Sequence, residues 1–132
     1  MSRLAFLRGR EPAVFHVRMG GCGGCCEVVD SVLRDGRGAR GRECSSPRHA
    51  EVVIVSGCWT EDLSDAAARV ISQAPVTRKL VVVGDCALGL GFVAQRIRHG
   101  QTVSSRFEPD LEIAGCPADA ATVLEGVRRV TG

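Results

Sequence analysis

The apolar positions of this chain fall into two kinds of run. Unbroken ones lie at Val52-Val53-Ile54-Val55 and Leu80-Val81-Val82-Val83, the pattern of strands buried on both faces. A third run, Ala13-Val14-Phe15-His16-Val17-Arg18-Met19, is bounded by Pro12 and Gly20, and a short fourth is Leu111-Glu112-Ile113-Ala114. Between these the spacing turns helical. Val28, Val29, Val32 and Leu33 share a face over 27–33. Leu63, Ala67, Val70 and Ile71 do so over 62–73, and Val123, Leu124, Val127 and Val130 over 118–130. Thr60 is the expected N-cap of the middle helix and Ala74-Pro75 its stop. A short polar helix is expected near 93–98, and the Arg- and Gly-rich stretch 34–42 reads as a solvated loop.

Alternating strands and helices, two strands wholly apolar, predict an α/β fold. The expected architecture is one domain over 1–132: a short, mainly parallel four-stranded sheet with helices on both faces, flavodoxin-like. Ligands of such sheets bind at the carboxyl ends of the strands. The cysteines fall at those ends: Cys22 and Cys25 after the first strand, Cys58 after the second, Cys86 after the third and Cys116 after the fourth. Glycines flank them, at Gly21, Gly23, Gly24, Gly84 and Gly115. They leave room for a bulky group and offer N–H donors. The start of the helix after Gly24 adds unpaired N–H groups and positive potential, which suits an anionic ligand or thiol chemistry.

Composition narrows the choice. A chain of 132 residues builds a core without disulfides. Seventeen basic against fifteen acidic residues imply no strongly charged partner, and 4% aromatics without tyrosine argue against a nucleic-acid stacking platform. No run approaches the roughly 20 apolar residues of a membrane span. Residues 1–10 are basic but lack a long apolar core, so no secretory signal is expected. Seven cysteines in a chain without such a signal point to metal or redox roles. One close pair and two singletons suit an iron–sulfur cube better than a zinc knuckle. Two rivals remain open: a thiol–disulfide oxidoreductase using Cys22 and Cys25, and a zinc-stabilised interaction module.

Four motifs in order carry a family resemblance: Cys22-Gly23-Gly24-Cys25, Ser46-Pro47-Arg48-His49-Ala50-Glu51-Val52, Val83-Gly84-Asp85-Cys86-Ala87 and Gly115-Cys116-Pro117. Over about 14–128 the chain resembles the small subunits of [NiFe] hydrogenases and the 20 kDa subunit of respiratory complex I. It is nearest to those of the energy-converting, membrane-bound and formate hydrogenlyase-like hydrogenases. The resemblance implies that Cys22, Cys25, Cys86 and Cys116 ligate one proximal [4Fe–4S] cluster at the carboxyl ends of the strands. That cluster relays electrons to or from a hydrogenase-like or complex I-like large subunit, where the [NiFe] centre or quinone site lies. Further iron–sulfur and membrane subunits are implied, with this chain on the cytoplasmic face, peripheral to the membrane. Arg48 and His49 are expected near the cluster or the partner. There Arg48 would raise the potential and His49 would couple reduction to protonation, unless both serve only a loop or interface ion pair.

Three departures bear on this. Cys26 directly follows Cys25, where the hydrogenase pattern usually has an acidic residue. The adjacent-cysteine pattern of complex I makes Cys26 an alternative ligand. Cys44 and Cys58 match no expected ligand, and Cys116-Pro117-Ala118 lacks the family's second proline.

Overall fold

The computed structural model describes residues 13–19, 23–35, 42–59, 61–90 and 106–131. The expected N-cap Thr60 and the helix near 93–98 lie outside them. Strands β1 (Ala13–Arg18), β2 (Arg42–Glu43), β3 (Val52–Ser56), β4 (Lys79–Val83) and β5 (Leu111–Ile113) form one sheet in the order β2-β1-β3-β4-β5. Every neighbouring pair is parallel. The four expected strands are all present. The addition is β2, a two-residue edge strand paired with Ala13 and Val14, too short and polar to leave a periodic signal.

Helices α1 (Gly24–Asp35), α2 (Glu61–Gln73) and α3 (Ala120–Thr131) cover the sheet. Alternate side chains of the pleat feed two cores. On one face Val14, Val52, Ile54, Val81, Val83 and Ile113 pack with Val29, Val32 and Leu33 of α1 and Val123 and Val127 of α3. On the other, Val17, Val53, Val55, Leu80 and Val82 pack with Ala67 and Ile71 of α2 and with Trp59. β3 is buried along its whole length, as its apolar run requires.

The inward stripe of α2 differs from expectation. Ala67 and Ile71 are buried and Val70 packs against them as expected, but Leu63 is 41% exposed and Ser64 and Ala68 are buried in addition. Gly126 lets α3 lie close to the sheet, since a Cβ there would press on Leu111 and Ile113 side chains.

Ile54 sits fully buried in the central strand. Ile54→Ala should cost about 2–5 kcal/mol and Ile54→Val about 0.5–1.5, measured as the shift in urea unfolding midpoint.

Candidate functional site

Parallel strands leave all their carboxyl ends on one rim, and the turns there carry the candidate cysteines. Cys25 and Cys26 stand in the first turn of α1, where backbone N–H groups lack helical partners. Gly23, at φ +81°, leads the chain into that turn, and its carbonyl accepts from the Glu27 N–H at 3.0 Å. Cys25 is buried, Cys26 and Cys86 are half-buried, and Cys116 is exposed. Cys22 lies outside the described residues.

The turns after β4 and β5 are laced together. The Gly84 N–H donates to the Ile113 carbonyl at 2.7 Å and the Asp85 N–H to the Gly115 carbonyl at 2.9 Å. In return the Gly115 N–H donates to the Asp85 carboxylate at 2.8 Å. Cys86 and Cys116 each follow one of these fastened residues. The Cys25 Sγ reaches into the same turns, 3.9 Å from the Gly115 carbonyl oxygen. Gly84 holds φ +94°, and a Cβ on it would overlap the Cys25 sulfur. Gly115 holds φ +138°, and a Cβ on it would stand 2.7 Å from the Ala118 Cα. Glycine at both positions is therefore a requirement of backbone and space together. The result is a cradle with the Cys25 sulfur at its wall, built of turns that lead into Cys86 and Cys116. This donor set, soft sulfur beside glycines in positive-φ turns, fits an iron–sulfur cluster. Among the described residues no three His, Cys, Asp or Glu side chains are grouped so as to hold a metal ion.

Cys26 takes another direction. Its Sγ lies 3.1 Å from the Ser56 hydroxyl at the end of β3. The same hydroxyl lies 2.6 Å from His16 Nε2, and His16 Nδ1 lies 3.1 Å from Asp30 Oδ1. Arg18 donates to that carboxylate at 2.7 Å. The His16 side chain is 1% exposed. Burial lowers its affinity for a proton below that of an ordinary histidine, outweighing the pull of Asp30.

Arg48 and His49 stand in a short 3₁₀ turn, Pro47–His49, capped by the Ser46 side chain. Both are exposed. The turn precedes β3, so the five residues of that strand, roughly 16 Å at about 3.3 Å each, separate it from the cysteine rim. Cys44 follows β2, with its sulfur 3.3 Å from the Ser46 carbonyl, and Cys58 is buried after β3. Four residues of the rim went unassigned in the sequence: Asp85, His16, Asp30 and Ser56. The one available signal was a histidine inside an apolar strand.

Residues 22–130 match the family described as NADH ubiquinone oxidoreductase, 20 Kd subunit. The chain is 30% identical over 131 residues to the probable membrane-bound hydrogenase subunit mbhJ of Pyrococcus furiosus, covering 96% of this chain and 78% of that one. It is 33% identical over 82 residues to a subunit of the F(420)H(2) dehydrogenase of Methanosarcina mazei, spanning 62% of this chain and 45% of that protein. Two solved structures share the fold. One is a chain of the membrane-bound sulfane sulfur reductase, an archaeal respiratory membrane complex, with a TM-score of 0.74 at 17% identity over 98% of this chain and 73% of that one. The other is a chain of an NAD+-reducing [NiFe]-hydrogenase, with 0.61 at 19% over 86% and 87%.

Asp85→Ala should cost about 1–3 kcal/mol by stranding the Gly115 N–H, whereas Asp85→Asn keeps an acceptor and should cost less; urea unfolding of both variants checks this. The unfolded chain holds the His16 proton more tightly than the folded one. Stability should therefore fall as pH drops below about 6.5, the ordinary histidine value. His16→Gln should remove that part of the dependence, read from unfolding midpoints across pH.

Proposed function

Since this chain belongs to the family of the 20 kDa subunit of NADH–ubiquinone oxidoreductase, which takes in hydrogenase small subunits, we propose that it is the electron-transfer subunit of a membrane-associated complex of the hydrogenase or complex I type. It is a subunit of a multisubunit oxidoreductase and has no catalytic centre of its own in this reading. The chain folds as one cluster-binding domain over 1–132. Its cofactor is a single [4Fe–4S] cluster held by Cys22, Cys25, Cys86 and Cys116. Bound there, the cluster supplies one-electron transfer between the complex's other iron–sulfur subunits and the large subunit.

The observation that carries this ligand set is the parting of two adjacent thiols. Cys25 sulfur turns to Gly84 and Gly115, beside the turns that bear Cys86 and Cys116. Cys26 sulfur turns to Ser56. That favours Cys25 over Cys26 as the ligand and leaves Cys22, three residues earlier, for the remaining position. The protein's own part is placement: α1 presents Cys25, and the laced turns lead directly into Cys86 and Cys116.

Arg48 and His49, exposed at the far end of β3, suit a partner interface and not the tuning of potential. None of the described helices is long and apolar enough to cross a membrane. The relative from Pyrococcus furiosus is named as a membrane-bound hydrogenase subunit. We place this chain at the cytoplasmic face, held to the membrane through its partner subunits.

Purification of the complex without oxygen tests the reading. The expected outcome is a brown preparation whose cluster signal disappears in Cys25→Ser, Cys86→Ser and Cys116→Ser and survives in Cys26→Ser, Cys44→Ser and Cys58→Ser. A colourless protein with a titratable dithiol makes it a thiol oxidoreductase, and one equivalent of zinc makes it an interaction module.

A further inference from the structure

The two edges of the sheet are finished differently. β2, on one side, is two charged residues, Arg42-Glu43. β5, on the other, is Leu111-Glu112-Ile113, and among the described residues no strand pairs with its outer side. Edge strands are commonly guarded by lysine or proline, and residues 111–114 contain neither. Three residues alone offer too few hydrogen bonds to hold another chain. Anything that pairs with β5 must find further contact beside it.

That contact is on hand. A mostly apolar groove of about 430 Å³ runs along the edge. One wall is β5 with Ala114. The other is a stripe of α3 at four-residue spacing, Ala121, Glu125 and Arg129, with Gly126 beside it. A Cβ on Gly126 would stand 2.7 Å from a Leu111 methyl and 2.8 Å from an Ile113 methyl. α3 therefore lies against β5 at that point, and Leu111 is left half-buried at the margin of the core. The charges of the groove are two carboxylates, Glu112 and Glu125, against one guanidinium, Arg129. Glu125 and Arg129 are both exposed and meet at 3.7 Å, a contact that a competing cation can replace.

We propose that this groove seats an extended segment of a neighbouring subunit, added to β5 as a sixth strand. The inference rests on the reading of this chain as a subunit of a larger oxidoreductase. Side chains of an added strand alternate between the faces of the sheet. Every second one lies on the same face as Leu111 and Ile113, against α3, and is apolar. A lysine or arginine next to Glu125 answers the negative balance. Main-chain hydrogen bonds give such pairing its affinity, and the groove gives it selectivity. A second copy of this chain suits the edge poorly, because two β5 strands side by side bring like-charged Glu112 residues together. Ala114 precedes Gly115, whose N–H and carbonyl are both fastened to Asp85. A strand seated on β5 therefore braces the turn that leads to Cys116.

The test is amide hydrogen exchange over 111–114 in the purified complex, compared with the isolated chain. In the complex exchange there should slow about tenfold or more, equivalent to roughly 1.4 kcal/mol of local stabilisation. A photo-reactive residue in place of Ala121 should cross-link to a partner segment that carries a basic residue. One in place of Ala66, exposed on α2, should not reach that segment. Ala121→Trp fills the groove, and Glu125→Arg reverses a charge on the exposed face of α3. Each should undo the slowing and leave the unfolding midpoint of the isolated chain unchanged. If Ala121→Trp fails to fold, Glu125→Arg carries the comparison. Exchange as fast in the complex as in the isolated chain, or a cross-link from position 121 to another copy of this chain, overturns the proposal while the subunit reading stands. A chain that purifies without any partner overturns both.

Discussion

The structure depends on two turns being fastened to each other before any thiol is placed. Gly84 and Asp85 after β4 exchange three hydrogen bonds with Ile113 and Gly115 at the end of β5. This continues the parallel ladder past the last paired residues and carries it into the loops. Loops at a strand rim ordinarily wander. These are tied to each other by hydrogen bonds, and Cys86 and Cys116 follow directly on the tied residues. The absence of a side chain at Gly84 then lets the Cys25 sulfur come against the backbone of the β4 turn.

Adjacent thiols are an ambiguous motif in one dimension and a clear one in three. Successive residues in a helical turn point about 100° apart, and at the start of α1 the Cys25 sulfur turns to the Gly84 and Gly115 turns while the Cys26 sulfur turns to Ser56. One goes toward β4 and β5 and the other toward β1 and β3. The second direction leads to the layer where His16 and Ser56 close the apolar face of the sheet. Val14 and His16 on β1, and Ile54 and Ser56 on β3, show the change from hydrocarbon to polar side chains within two residues of pleat.

Much of this was legible in the sequence because it rested on local pattern. The unbroken runs of β3 and β4 announce buried parallel strands, and the cysteines at strand ends follow from counting. What was not legible rested on register. His16 meets Asp30 fourteen residues away and Ser56 forty away, and only the pairing of β1 with β3 and the seating of α1 bring them together. Leu63 has the hydrophobicity of an inward residue, yet it is exposed while Ser64 and Ala68 are buried beside Ala67 and Ile71. Arg48 and His49 belong to the same motif as β3, yet the strand between them and the rim sets them apart from the cysteines. Proximity in sequence to a conspicuous strand does not say at which of its ends a residue works.

The span of the cradle also governs when it can exist. Cys25 and Gly115 are ninety residues apart, and β5, which brings the latter, is only three residues long and last in the sheet. Closing so long a loop is slow and comes late in folding. A nascent or truncated chain ending before β5 has the first thiols but no opposite wall. A group seated between α1 and that wall would therefore find its complete site only in a finished sheet.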